Sequence, residues 1–293
     1  MKPSPLQYFR ANSLQDALSA LDRGGGNAKL LAGGQSLMPL LNLRLGSAET
    51  LIDISRIEDL NYVRANDGCL TIGAVTPHNS ILHSELAAQH CPLLVEAYAH
   101  VAHHTIRNRG TLGGNICHSD PASEMPLVLS VLDATFVLAG SRGTREVQAN
   151  GFFLGIMETA IRPDEILVEI RVPFQRQGEG CAFEEMSQRK GDFAIVATAC
   201  RFTLDAGTCR NVRMGFAGAG VHIKRIPEVE AALEGASPSP EAFERALTIA
   251  VEHAQPDADI HADVDYKLDL IRSLGGRALK RAAQRAAIFT TGE

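Results

Sequence analysis

Lys29-Leu30-Leu31-Ala32-Gly33-Gly34-Gln35-Ser36 decides the reading of this chain, together with a second glycine-centred stretch, Arg107-Asn108-Arg109-Gly110-Thr111-Leu112-Gly113-Gly114-Asn115. In each, an apolar or extended run feeds a pair of glycines beside small hydroxyl or amide side chains. Glycine reaches positive φ without steric cost and lets a ligand approach the main chain. Successive amide N–H groups in such a turn form a concave nest for an anion. One nest is ordinary turn chemistry; two on one ligand would clamp a long diphosphate from both sides. The chain is acidic, at net -6, and only Lys29 and Arg44 are cations near the first turn. Amide dipoles, with a helix N-terminus beginning near Ser36, therefore carry the anion there. Arg107 and Arg109 precede the second turn, where either can meet a phosphate bidentately.

Outward from the first turn, Ser13 and Asp16 form a capping-box pattern ahead of Leu14, Ala17, Leu18 and Leu21, and Gly24-Gly25-Gly26 stops that helix. Residues 29–32 and 51–54 read as strands and 37–45 as a short helix with Pro39 in its first turn. Further on, 69–73 is a strand, Thr76-Pro77 opens a helix, and 93–101 and 126–132 are helical. A hairpin joins 134–138 to 144–148, and 166–172 alternates as a strand. The polar, Gly- and Pro-bearing stretch 173–180 reads as a linker. Beyond it, strands at 181–186, 194–204 and 208–216 precede helices at 226–233, 240–253 and 265–287, a separate α+β unit. Arg272, Arg277, Lys280, Arg281 and Arg285 read as a solvated helix face.

At 293 residues, the chain is long enough for two or three domains. Hydrophobic content of 45% and charged content of 21% are those of a soluble globular protein. No apolar run is long enough to span a bilayer, and Met1-Lys2-Pro3-Ser4-Pro5 carries no secretory signal, so a cytoplasmic protein is expected. The acidic balance and scarce aromatics argue against nucleic acid as a partner. Cys69, Cys91, Cys117, Cys181, Cys200 and Cys209 are scattered with no close pair, so no metal or iron–sulfur site is expected.

The two glycine stretches resemble the FAD-binding motifs of the medium subunit of the molybdenum hydroxylases, the carbon monoxide dehydrogenase and xanthine dehydrogenase family. The likeness extends to Asp120-Pro121-Ala122-Ser123-Glu124, to Gly191-Asp192-Phe193-Ala194 and to Asp265-Tyr266-Lys267, so it spans nearly the whole chain. It implies an α+β fold. Residues 1–55 and 56–175 would be the two subdomains of an FAD-binding module of the vanillyl-alcohol-oxidase (PCMH) type, and 180–293 a C-terminal domain of antiparallel sheet and helices. By motif match, Lys29, Leu30 and Leu31 lead into the cofactor site. Ala32, Gly33, Gly34, Gln35 and Ser36, with Thr111, Leu112, Gly113, Gly114 and Asn115, would hold the diphosphate and ribityl chain. Val101 and Glu124 match positions near the adenine and ribityl parts, and Leu167 would line the pocket. Lys190, Asp192 and Phe193 would lie near the isoalloxazine, with the aromatic ring over one face. The four-cysteine insert of one branch of the family is absent, and Gln188-Arg189-Lys190 stands where two arginines are usual.

The resemblance implies an oxidoreductase subunit that transfers electrons. Its partners would be a molybdopterin-binding large subunit and a [2Fe-2S] small subunit, and its acceptor NAD⁺, oxygen or another molecule. No residue is assigned a catalytic role: Glu124, Lys190 and Asp192 could act as acids or bases, but they fit better as groups that position a cofactor carrying its own chemistry. The rivals are a self-sufficient flavin oxidase or reductase, for instance with a covalent link at His103 or His104, and a flavin-free scaffold. Adjacent His103 and His104 cannot both face one metal from a helix, and His118-Ser119-Asp120 has triad residue types without triad geometry.

Overall fold

Ser13 starts the first helix, Leu14–Arg23, as its spacing predicts: the Ser13 hydroxyl accepts the Asp16 N–H at 3.1 Å, and Asp16 Oδ2 accepts the Asn12 N–H at 3.2 Å. The helix buries Ala17, Ala20 and Leu21 against a three-stranded parallel sheet. The central strand, Thr50–Asp53, is flanked by Ala28–Leu31 and by Gln7–Arg10. The computed structural model describes residues 2–220 and 223–290. Strand Gln7–Arg10 carries no sequence signal because all four residues are exposed, so no alternation marks it. It is tied instead by the ladder and by the Tyr8 hydroxyl, which donates to Asp53. The helix expected at 37–45 is shorter, Leu37–Asn42, because Arg44 turns left-handed at φ 59.

The second sheet is antiparallel, in the order Val63–Asn66, Cys69–Gly73, Glu165–Pro173, Thr135–Gly140, Gly143–Gln148. Helix Glu124–Val131 is buried on every side; an apolar stretch with no polar face has nowhere to meet water. Helix Leu112–His118 packs beside it and carries the second glycine pair.

The third sheet orders Glu179–Ser187, Ala194–Asp205, Thr208–Ala217 and Lys224–Arg225, all antiparallel. Alternation decides its two faces. Ala182, Val196, Cys200 and Phe202 face helices Pro227–Leu233, Pro240–His253 and Val264–Thr290, whereas Cys181, Phe183, Ala197 and Ala199 join the core of the second sheet's unit. The third unit thus shares its core with the second. The stretch 173–180 is not the loose linker its composition suggests. The Phe174 N–H donates to Gly68 O, the Gln175 N–H donates to His90 O, and Phe174 stacks on His90 at 4.0 Å.

The basic face of the last helix is also not merely solvated. Arg281 donates to Glu96 at 2.8 Å and to Glu184 at 2.5 Å, and Arg285 donates to Glu96 at 2.6 Å and to the Cys181 carbonyl at 2.6 Å. Glu96 lies on helix Pro92–Tyr98 of the second unit, so these pairs bolt the two units together. Both arginines stay half-exposed, so the network is worth about 1 kcal/mol. Glu96→Gln is expected to lower the melting temperature by about 2–4 °C, less in high salt, as differential scanning calorimetry would show.

Candidate functional site

The first glycine turn leaves its main chain open. Among the described residues, no acceptor faces the amide N–H groups of Gly33, Gly34, Gln35, Ser36 or Leu37. Gly34 lies at φ +71, and Ser36 makes no cap bond to the helix it precedes. That helix has only six residues, so anion-binding capacity lies in the turn's own amides rather than in a macrodipole. Unpaired backbone donors are rare unless a ligand or water takes them. Five in succession, with Gln35 exposed beside them, suit an anion such as a diphosphate.

The second turn differs from the sequence expectation. Its amides are spent inside the protein: Leu112 N–H donates to Thr76 O at 3.1 Å and Gly113 N–H to Ala74 O at 2.9 Å. Gly114 N–H donates to Thr111 Oγ1 at 3.1 Å and Asn115 N–H to Thr111 O at 3.0 Å. The expected second nest is therefore filled by an ordinary helix N-cap. Gly113 is buried, and a Cβ there would stand 2.5 Å from Ala74 O. What this turn presents is exposed Gly114 and the Asn115 amide, which donates to Ser123 Oγ at 2.8 Å.

The two turns nevertheless meet. A Cβ on Gly33 would lie 2.2 Å from Arg109 O and 2.7 Å from Gly110 Cα, and one on Gly114 would lie 3.9 Å from Ala32 Cβ. Arg107 does not face this junction as a phosphate ligand; its guanidinium donates to Val101 O at 2.8 Å and to Ala102 O at 2.7 Å. Arg109 is exposed, with no side-chain partner among the described residues, and is the cation left at the seam. On the strand entering the first turn, Lys29 is exposed while Leu30 and Leu31 are half-buried.

The loop that Arg107 holds receives the third unit. A Cβ on Gly191 would lie 2.7 Å from His103 Nδ1 and 2.9 Å from Ala102 O, so the Gly191 turn sits directly on the segment after buried Val101. Lys190 is exposed there, Asp192 half-exposed, and Phe193 presents an apolar ring 56% exposed. Leu167 is different: it is buried in the core at a bulge of strand Glu165–Pro173. It lies next to Val168, whose carbonyl accepts the Ala74 N–H beneath the second turn. His103 and His104 are exposed, and the described residues hold no group of three His, Cys, Asp or Glu placed to bind a metal.

One part of this region was not legible in the sequence. Glu124, 3% exposed at the start of its helix, is close enough to Glu185 of the third unit to feel its charge, and the Glu185 side chain is 2% exposed. Burial, then the Glu185 charge, pushes the Glu124 carboxyl up to about 8; burial pushes Glu185 up to about 7 against a bond from Ser187. Glu185 Oε1 lies 3.8 Å from His100 Nδ1, and Glu185 Oε2 is buried without a hydrogen-bond partner. Glu184 and Glu185 are neighbours of one type, and only the strand's alternation separates their faces. Beneath the second turn, His78 is held down to about 4 by burial and by Arg107, and lies 3.4 Å from the Tyr98 hydroxyl.

Comparison with known proteins settles the family. Residues 4–175 match the family described as FAD binding domain in molybdopterin dehydrogenase, and 181–282 match the CO dehydrogenase flavoprotein C-terminal domain. The chain belongs to this family of FAD-binding medium subunits. It is 38% identical over 98% of its length to the 6-hydroxypseudooxynicotine dehydrogenase complex subunit alpha of Paenarthrobacter nicotinovorans, covering 97% of that protein. To the carbon monoxide dehydrogenase medium chain of Hydrogenophaga pseudoflava it is 36% identical, over 98% of this chain and 100% of that one. The structure of carbon monoxide dehydrogenase from Hydrogenophaga pseudoflava lacking the Mo-pyranopterin moiety superposes with a TM-score of 0.95, at 37% identity, over 97% of this chain and 99% of that chain. FAD is the cofactor of this medium subunit, its fold is α+β, and it is part of an oxidoreductase. The open amides of the first turn fit such a diphosphate ligand.

Proposed function

We propose that this medium subunit carries electrons through FAD between a [2Fe-2S] partner and a terminal acceptor, NAD⁺, oxygen or another molecule. A molybdopterin-binding large subunit would hydroxylate the substrate. The single observation that carries the reading is the meeting of the open first turn with the capped second turn, with the Gly191 loop of the third unit seated on Ala102 and His103, the segment held by Arg107. FAD, when bound, accepts electrons singly and releases them in pairs. The chain's own residues bind and orient it. The amides of residues 33–37 would hold the diphosphate, with Arg109 beside them. Val101, fixed through Arg107, and the Asn115–Ser123 pair would shape the middle of the site, and Phe193 would cover one ring face. The three units would span 1–55, 56–175 and 180–293. Among the described residues no helix is long and apolar enough to cross a membrane, and all six cysteines are free, which supports a reducing cytoplasmic setting.

The test is stopped-flow reduction of the isolated, FAD-loaded chain. Dithionite is expected to bleach the flavin, whereas heterocycles and aldehydes leave it oxidised until molybdopterin and iron–sulfur partners are added. Fast bleaching by such a substrate with no partner present would overturn the electron-transfer reading in favour of a self-sufficient oxidase.

A further inference from the structure

Ile260 stands 94% exposed at the tip of a stretch, residues 254–263, that has neither helix nor strand. The stretch is nevertheless fixed. Buried Lys267 donates through Nζ to Asp257 O at 2.8 Å and to Asp259 Oδ2 at 2.7 Å. Asp259 Oδ1 accepts the His261 N–H at 2.7 Å and the Ala262 N–H at 3.0 Å, which closes the turn around Ile260. A buried ammonium is costly unless it is paired; here the pairing holds an isoleucine out in water, near exposed Val264 and Tyr266 in the chain. Between Gln255 and Asp269 the sequence carries Asp257, Asp259, Asp263, Asp265 and Asp269 against a single lysine, Lys267, which Asp259 already holds. Asp265 and Asp269 lie one turn apart on helix Val264–Thr290, a spacing at which like charges repel. An apolar anchor in an acidic rim is thus displayed on a rigid loop.

The loop starts beside the strand that leads away from Phe193. The Gln255 N–H donates to Ala219 O at 3.1 Å, and a Cβ on Gly218 would lie 2.3 Å from Ile195 O. Ile195 comes two residues after Phe193. The Gly218 N–H in turn donates to Pro121 O at 2.9 Å, in the segment that follows the second glycine turn. We propose that residues 255–266 are the landing site of the electron-delivering [2Fe-2S] partner, whose matching face is an apolar socket for Ile260 rimmed by lysine or arginine. The inference rests on the electron-transfer reading above and adds to it the place of docking and the chemistry of the partner's face. Charge selects this kind of occupant: a second copy of the chain, a nucleic acid or an anionic membrane would bring negative charge to the same aspartates. Position selects the electron donor, because a partner seated here arrives next to the strand that begins at the flavin-covering residue. The buried anchor sets the affinity, and the aspartates steer the approach and fix the register.

The experiment is stopped-flow reduction of the FAD-loaded full-length chain by its [2Fe-2S] partner, pre-reduced and desalted, over a range of partner concentrations that separates Kd from the limiting rate. The wild-type Kd is expected to weaken roughly tenfold between about 0.05 M and about 0.5 M salt. Ile260→Ala should weaken Kd roughly tenfold with the limiting rate kept. The double variant Asp257→Lys, Asp265→Lys should weaken Kd at low salt and lose the salt dependence. Both variants change exposed side chains, so flavin content, dithionite reduction and melting temperature should match the wild type. A Kd unchanged in either variant, or a wild-type Kd indifferent to salt, would overturn the proposal. Self-association of the wild type in native mass spectrometry that Ile260→Ala abolishes would give the surface to a second copy and overturn it equally. A wild-type flavin that the reduced partner does not reduce at any concentration would overturn the electron-transfer reading itself, a result distinct from these.

Discussion

Gly34→Asp is expected to strip the chain of FAD and leave it folded. At φ +71, Gly34 sits in the left-handed region, where Asp is among the residues best tolerated. The space also permits it: a Cβ there would meet only Leu31 Cδ1 at 3.2 Å and Met38 Cγ at 3.4 Å, the ends of flexible side chains. The penalty falls on the ligand. Among the described residues the neighbouring amides meet no acceptor, and the substitution sets a carboxylate among them. Two like charges about 4 Å apart repel by about 4 kcal/mol at an effective dielectric of about 20, roughly a thousandfold in Kd. Far-UV circular dichroism beside flavin absorbance after gel filtration checks both halves. Full flavin content in the variant would remove the first turn from the diphosphate site.

The resemblance of the glycine stretches made the family legible in the sequence, while the local physics at each was only half legible. A glycine pair declares that side chains are not tolerated; it does not say whether a ligand or a neighbouring strand excludes them. Gly34 needs its φ, Gly33 needs room for the Arg109–Gly110 backbone, and Gly113 needs room for Ala74, yet all three look alike in a motif. Polar side chains were harder still. Arg107 beside a glycine turn suggests a phosphate ligand, but the carbonyls of Val101 and Ala102 take its donors. Arg281 owes its role to a contact across units, with Glu96, and the charge that Glu185 brings to Glu124 likewise crosses from one unit to another. Local signals were readable: Ser13 with Asp16, and a strand at 181–186, which the structure extends to Glu179–Ser187. Strand Gln7–Arg10 was not, since its ladder partner, Thr50–Asp53, lies far along the chain.

Gly113→Val is expected to act on the fold first and on the cofactor only as a consequence, in contrast to Gly34→Asp. Gly113 opens helix Leu112–His118 against strand Cys69–Gly73 and the residue after it, and its N–H is held by Ala74 O at 2.9 Å. A Cβ would stand 2.5 Å from that same oxygen, 2.7 Å from Ala74 Cβ and 2.9 Å from Ala74 Cα. These are main-chain atoms and a rigid methyl, so nothing nearby can swing aside. The helix must lift, which breaks the Gly113 bond and pulls on Leu112 and Thr76. Overpacking of this kind costs about 3 kcal/mol, which corresponds to a fall of roughly 10 °C in melting temperature for a chain of this size. Flavin content should fall together with the folded fraction, and excess FAD should recover part of it, because a ligand that binds only the native state shifts the unfolding equilibrium. Calorimetry of the apo-variant against the wild type decides the matter. An unchanged apo melting temperature with flavin lost would mean that the second turn meets the ligand through its backbone after all.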